Sequence, residues 1–281
     1  MAKEKLNPRD KKNNPHYWYA RVQNETNRKL QATQKEAEKL LKKLYQEQAE
    51  DIVNELYRIF GKIMKDKKSG EGIMINDLFN TKTQTEILSF LSKKLRELGS
   101  NEIRITEKAM IEMYKYACDT VDRFIPKRSK IGISFSEPSE SDLRNIVRHV
   151  WVLGKEDEGC EFSSDIWKNK TNMLLSLQKA LSSAVARGLG PFELAQEVAD
   201  SCNSKIYEAY RLMRTETAHQ AVAGQIDRYT AYGYKQGIWD ASSCACDECK
   251  SRDGKTYDLE ELMYELPAHP NCCCAFLLKI D

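Results

Sequence analysis

A chain of 281 residues with 41% hydrophobic residues is long enough for two domains and for a sizeable buried core. Its charged residues nearly cancel, to a formal net charge of +2, and no stretch approaches the ~18 to 20 consecutive apolar residues that cross a bilayer. The first residues lack the apolar stretch of a secretory signal peptide. These features argue against a membrane protein and predict a chain made in a reducing cytosol.

The amino-terminal part of the chain is its basic end. Residues 1–68 hold 17 Lys and Arg against 10 Asp and Glu, a local net charge of +7, whereas the remainder carries −5. Residues 1–16 are polar and contain two prolines, which predicts an arm that lies on a partner. A basic segment can contact DNA phosphates or an acidic protein surface, although a solvated helix face has the same composition.

Helical spacing of apolar residues begins at Tyr17 and predicts one or two long amphipathic helices that end near residues 67–72. We therefore assign residues 1–70 to a basic arm and a long helix. Residues 71–160 form a second, helical region.

Within that second region, apolar spacing predicts helices between Ile75 and Phe124, and Thr106 is expected to open the later one. The alternation over residues 131–135 predicts a short strand. Another helix is expected from Glu140 to Val152, before an acidic, glycine-containing loop.

Residues 161–281 form the third region. Helices are predicted over 164–188, over 192–199 and from Lys205 to about Tyr232. The Gly-Leu-Gly-Pro sequence between the first two predicts a turn at Gly188 and Gly190 that sets the angle between them, with left-handed backbone at Gly190. A strand is expected to lead into Trp239, the anchor of the carboxy-terminal core.

Six of the nine cysteines lie between positions 244 and 274. Cys246 and Cys249 form a C-x2-C pair, and His269 and three consecutive cysteines follow about twenty residues later, beyond a turn at Gly254. Paired groups at this spacing are typical of structural zinc sites, in which four ligands surround the ion tetrahedrally. Disulfides and chance buried thiols are the alternatives, and a reducing cytosol favours the metal.

The metal ligands are predicted to be four of five residues: Cys246, Cys249, His269, Cys272 and Cys274. In an extended segment Cys272 and Cys274 point to one face and Cys273 to the other, so either can supply the fourth bond, and we favour Cys272. A closed set of His and thiolate ligands favours Zn²⁺ over iron. Such an ion would fasten a last strand, residues 275–280, against the strand near Ile238.

Several motifs then follow in a fixed order: a helix with Trp167, the R-G-L-G-P-F-E run from Arg187, R-T-E-T from Arg214, G-x-x-x-G-I-W-D from Gly233, C-x2-C, D-G-K-x-Y from Asp253 and H-P-N-C-x-C from His269. Their order and spacing over about residues 160–276 resemble the minor head proteins of tailed bacteriophages, the Mu F-like head-morphogenesis family. The chain departs from the family's pattern at Cys273, where Arg is usual, and at the additional Cys244. Both departures add alternative thiol ligands.

The resemblance implies a low-copy structural protein of a phage head, without catalytic activity. It implies incorporation during procapsid assembly and a place in the virion, in the head interior or at the portal vertex. The implied partners are the portal protein and capsid or scaffold proteins. Double-stranded DNA, contacted during packaging or ejection, is a further implied partner. The resemblance implies no membrane partner.

Two other classes of function are weighed against this one. Some members of the family carry a fused toxin domain such as an ADP-ribosyltransferase, and residues 134–136 faintly resemble the serine motif of those enzymes, but without a paired Glu-x-Glu in the matching setting. A zinc-ribbon nucleic-acid-binding protein needs a recognition helix beside the metal, whereas the basic charge lies at the far end of this chain.

The R-T-E-T residues are not expected to be catalytic. Arg214 and Glu216 are two positions apart on a predicted helix and so do not face each other, which favours a structural role for Arg214, Thr215 and Glu216. The sequence as a whole predicts a mainly α-helical, non-enzymatic protein that ends in a small β-containing, zinc-stabilised knot.

Overall fold

The computed structural model of the protein describes residues 15–65, 67, 71–74, 77, 80–124, 138–148 and 162–279. The predicted strand over 131–135, most of the amino-terminal arm and most of the acidic loop lie outside the described residues. Among the described residues, no helix is long and apolar enough to cross a membrane.

The described part of the chain is mainly helical, with three short strands near the carboxy terminus, which confirms the predicted fold class. In chain order the elements are α1 (Pro15–Lys65), α2 (Thr81–Phe124), α3 (Glu140–Arg148), α4 (Phe162–Ala186), α5 (Pro191–Ser204), α6 (Ile206–Ala231), β1 (Gln236–Asp240), α7 (Asp247–Arg252), β2 (Thr256–Asp258), α8 (Leu259–Glu265) and β3 (Ala275–Leu278).

Helix α1 is a single helix of 51 residues. It starts with Pro15 at a position where the missing N–H costs nothing, and it contains no further proline. Its buried residues repeat at helical spacing through Leu41, Tyr45, Ala49, Ile52 and Leu56. One long helix is therefore found where the sequence predicts one or two.

Helix α2 corrects the expected break at Thr106, because its 44 residues form one uninterrupted helix. The helix-weakening Gly99 within it has a packing reason. A Cβ atom at Gly99 would lie 2.6 Å from Cζ3 of Trp167, so the glycine lets the indole approach the helix closely. Thr106 is buried on the same continuous helix.

The turn between α4 and α5 corrects a second expectation. Gly188, with φ +73°, is the left-handed residue, and the N–H groups of Gly188 and Leu189 close the end of α4 on the carbonyls of Val185 and Ala184. Gly190 has φ −67° and caps the start of α5 in an extended conformation. Glycine at 188 is required by the backbone, whereas at 190 it is not.

By contacts the chain divides into two compact units that alternate along the sequence. The first comprises residues 1–37, 106–162 and 211–281, and the second comprises residues 38–105 and 163–210. This division groups residues by contact in space, whereas the three regions predicted in order along the chain stay a prediction.

In the first unit, α6 packs closely on α2 along a face of small residues. A Cβ atom at Gly224 would lie 2.5 Å from the backbone oxygen of Tyr114 and 3.0 Å from Cβ of Ala117, and Ala221 is buried nearby in the sequence. The Cys118 thiol donates to the Gly224 carbonyl at 3.3 Å. This cysteine is therefore a packed core residue.

The second unit contains a buried polar network that the sequence analysis missed. The Lys170 ammonium lies 2.6 Å from the Glu102 carboxylate, and the Tyr45 hydroxyl donates to the same carboxylate at 2.9 Å. All three side chains are at most 5% exposed. Burial and the neighbouring Glu102 charge raise the pKa of Tyr45 far above its usual range, so the phenol stays protonated.

The strands form one antiparallel sheet in the order β2–β1–β3. In the pair of β1 with β3, Ile238 faces Leu277 and Asp240 faces Ala275. The expected pairing of the last strand with the strand near Ile238 is confirmed. Trp239, the predicted anchor, is 1% exposed.

Candidate metal centre

The first half of the centre lies on helix α7, just after β1. Cys246 occupies the position before the helix and is exposed, whereas Cys249 lies one turn later and is fully buried. The helix thus presents two thiols, separated by two residues, on one side. Gly254 follows α7 with φ +75° and donates its N–H to the Trp239 carbonyl at 2.9 Å, which turns the chain back along β1.

The second half is a tight turn between α8 and β3. The N–H of Cys272 donates to the His269 carbonyl at 3.0 Å, and Asn271 within the turn adopts φ +61°, a conformation that asparagine tolerates better than most residues. Cys272 is buried, and Cys274, just before β3, is partly buried.

The structure brings all five predicted ligands together. The His269 Nε2 atom lies 3.4 Å from the Cys246 sulfur and 3.5 Å from the Cys249 sulfur, and the sulfurs of Cys249 and Cys272 are 3.8 Å apart. The donor atoms form two groups that could hold a metal ion, one of Cys246, Cys249 and His269, the other of Cys249, Cys272 and Cys274, each within 4.8 Å. Cys249 belongs to both groups and is the centre of the cluster.

The orientation of His269 suits a ligand. Its Nδ1 atom lies 3.1 Å from the Pro270 carbonyl oxygen, which can only accept, so this nitrogen carries the proton. The lone pair is then on Nε2, which faces the two sulfurs. Histidines that bind metals are commonly fixed in this way by a hydrogen bond from the other ring nitrogen.

The protein environment shifts the pKa values of the thiols in opposite directions. The Cys249 backbone N–H is the main cause that lowers the pKa of Cys246, with further contributions from Cys249 and His269 side chains. Burial, followed by the charge of Cys272, raises the pKa of Cys249 above its usual range. A buried thiolate at Cys249 therefore needs a cation beside it, since the protein alone disfavours the charged form.

Helix α6 contacts the second half of the centre through two side chains. The Thr215 hydroxyl accepts a hydrogen bond from the Asn271 N–H at 3.3 Å and donates to the Arg211 carbonyl at 2.8 Å. One turn further, the buried His219 ring lies 3.2 Å from the Leu266 carbonyl. The R-T-E-T helix thus contacts both ends of the segment that carries His269.

The neighbours of Thr215 have different settings. Arg214 is partly buried, Glu216 is 9% exposed and the Arg214 carbonyl accepts a hydrogen bond from the Gln34 side chain at 3.1 Å. The structural role expected for the motif stays a prediction. The contact of Thr215 with Asn271 joins residues 56 positions apart, and spacing along the sequence gives no signal for it.

Cys244 and Cys273 lie outside both groups of ligand atoms. Both are exposed, and the Cys273 thiol turns away to the Asn271 carbonyl at 3.5 Å. The expectation that Cys273 points away from Cys272 and Cys274 agrees with this arrangement.

Residues 176–277 match the model of the family described as Phage Mu protein F like protein. The resemblance drawn from the motifs is confirmed over this range, which contains the R-T-E-T helix and the whole cysteine and histidine cluster. No curated protein and no solved structure matches the chain.

Proposed function

We propose that this chain, which carries a Mu F-like region over residues 176–277, is a non-enzymatic minor capsid protein of a tailed phage or prophage. The family match carries this proposal, because it indicates a protein of phage head morphogenesis that interacts with other virion components. The protein joins the procapsid during assembly at or near the portal vertex. It contacts the portal protein, capsid or scaffold proteins and double-stranded DNA.

A structural zinc ion is the second part of the proposal. Zn–S bonds of about 2.3 Å and Zn–N bonds of about 2.0 Å place two sulfurs about 3.8 Å apart, and a sulfur about 3.5 Å from a nitrogen, around a tetrahedral ion. The separations in the cluster, 3.8 Å for Cys249 and Cys272 and 3.4 and 3.5 Å for His269 and its two thiols, agree with these values.

Cys246, Cys249, His269 and Cys272 are the proposed ligands, with Cys274 as the alternate to Cys272. The 3.8 Å separation of the Cys249 and Cys272 sulfurs suits Cys272 as the fourth ligand, and the Cys274 sulfur lies within 4.8 Å of both. The mixed set of imidazole and thiolates suits a redox-silent ion. When bound, the ion would join α7 to the turn before β3 and so hold the small sheet closed.

Incorporation into heads tests the main proposal. Phage particles and portal complexes purified from infected or induced cells should contain the protein, detected by mass spectrometry of intact heads and of isolated portal complexes. A protein that is absent from heads and accumulates in the secreted fraction would instead support the toxin alternative.

The basic arm is the proposed attachment to portal or DNA. Deleting residues 1–16 should reduce incorporation into heads and leave the carboxy-terminal knot folded, because Tyr19 in the buried core and Trp18, which stacks on Phe124, are both retained. A matched control variant keeps residues 1–16 and neutralises as many exposed lysines later in α1 as the deletion removes basic residues. If DNA is the partner, binding should also weaken steeply with salt, since each neutralised phosphate releases counterions. Normal incorporation of the deletion would contradict the role of the arm.

The three consecutive cysteines give the zinc proposal its own controls. Elemental analysis of protein purified under reducing conditions should find about one zinc per chain. Cys246→Ser and Cys272→Ser should lose it, whereas Cys273→Ser should retain it. Retention in Cys272→Ser with loss in Cys274→Ser would move the fourth bond to Cys274, and a folded protein without metal would remove the zinc proposal altogether.

A further inference from the structure

Two exposed thiols lie beside the metal centre without belonging to its ligand groups. Cys244 precedes the C-x2-C pair, and Cys273 lies between Cys272 and Cys274. They stand on different segments of the chain, so a bond between them would link the two halves of the centre.

The sheet places these segments side by side. Asp240 at the end of β1 faces Ala275 at the start of β3, in an antiparallel pair. The chain that leaves β1 therefore runs next to the chain that enters β3. The Ser242 hydroxyl lies 3.2 Å from the Cys244 sulfur on the first of these segments.

The two thiols also lie within contact of each other. The Cys244 and Cys273 side chains are hydrogen-bond partners. Each thiol is thus an immediate neighbour of the other.

We infer that Cys244 and Cys273 form a disulfide that closes over the metal centre when the protein leaves the reducing cytosol. With oxidised glutathione as the oxidant, a thiolate of the pair attacks one glutathione sulfur and releases one reduced glutathione. The second thiolate then attacks the mixed disulfide and releases the other. Two protein thiols and one oxidised glutathione become one protein disulfide and two reduced glutathiones.

The disulfide joins the segment that carries Cys246 and Cys249 to the segment that carries His269 and Cys272. The proposed ion joins the same two segments, so the disulfide is a second cross-link between them. Because neither sulfur belongs to the ligand groups, the disulfide forms without removing a metal ligand. The zinc site would thereby gain a covalent cross-link that forms only outside the reducing cytosol.

Mass spectrometry of the full-length protein after titration with oxidised and reduced glutathione tests the inference. We expect loss of two alkylatable thiols and a mass decrease of about 2 Da, with the zinc content unchanged. Trypsin without reduction should join the peptide of residues 236–250 to that of residues 256–279, the two that contain the six clustered cysteines.

Single variants assign the bond. Cys244→Ser and Cys273→Ser should each abolish the linked peptide, and Cys274→Ser, next in sequence to Cys273, should retain it. A link that survives in Cys244→Ser, one that forms only as zinc is released, or no link at any glutathione ratio would overturn the inference. None of these outcomes bears on incorporation into heads, which is measured separately.

Discussion

The carboxy-terminal knot and the second compact unit solve the problem of stability in opposite ways. The knot is built from strands of three to five residues and helices of six and seven residues, and its halves meet at a cluster of thiols and an imidazole. The second unit is built from parts of long helices with apolar stripes, and its one described buried ion pair joins Lys170 to Glu102.

The difference lies in how much surface each element can bury. A long amphipathic helix buries a residue on nearly every turn, so hydrophobic burial alone offsets the cost of ordering the chain. Elements as short as β2 bury too little for that, and a cross-link that lowers the entropy of the open state contributes more. The proposed zinc ion is accordingly expected to matter to the unit that contains the knot and not to the other.

Removing the proposed zinc ion should have the largest effect. Treating the protein with a chelator should remove on the order of 10 kcal/mol of stabilisation from the knot and so open it. Most of the far-ultraviolet helical signal should remain. The change should appear in the fluorescence of buried Trp239 and be absent from a Trp239→Phe control. Loss of the helical signal in parallel would contradict the independence of the second unit.

Breaking the buried ion pair should have the next largest effect, this time on the second unit. Lys170→Met leaves the Glu102 carboxylate buried without its cation and should destabilise the protein by about 3 to 5 kcal/mol in a denaturant titration. Exposed Lys168→Met is the matched control and should be neutral. Adding Glu102→Leu to Lys170→Met should restore much of the loss, and zinc content should stay constant throughout.

The Thr215 hydroxyl should have a moderate effect on the knot alone. Thr215→Val keeps the shape but leaves the Asn271 N–H without its acceptor, at a cost of about 1 to 3 kcal/mol. Zinc affinity in competition with a chelator should fall accordingly, and Thr215→Ser should retain it. Equal affinities of the Val and Ser variants would show that the hydroxyl does not position the turn.

The smallest effect separates the two glycines of the α4–α5 turn. Gly188→Ala places a side chain on a left-handed residue and should cost about 1 kcal/mol of unfolding free energy. Gly190→Ala should cost less, because only the movable Glu193 carboxylate lies near the added atom. A larger loss at Gly190, measured by thermal unfolding, would reverse this assignment.

The spacing of residue types along the sequence predicted the features that neighbouring residues determine. The long helices, the strand into Trp239 and the clustering of the candidate ligands all follow from periodicity or from paired motifs. The break expected at Thr106 was wrong, because Thr106 is buried within one helix that runs from Thr81 to Phe124. Gly99 on the same helix serves a contact with Trp167, a residue 68 positions away. Spacing along the chain does not record such contacts.

The buried network could have been found with one more criterion. Glu102 follows Leu95 and Leu98 on the buried stripe of α2, and Lys170 lies between buried Ile166 and Met173 on α4. Charges of opposite sign at core positions of two helices indicate a pair, because a lone buried charge is too costly. Which helices meet is still decided by the fold, so the partner Tyr45 could not be named from the stripe alone.

The core around Trp239 also draws on the start of α1. Tyr19 and Val22 are buried in it, and the Tyr19 hydroxyl lies 3.0 Å from that of Tyr234, 215 residues later. During synthesis the amino-terminal helix leaves the ribosome long before its partners exist. The first unit can close only after β3 has been made, so a ribosome that stalls before β3 holds a chain with this apolar surface still open to chaperones and proteases.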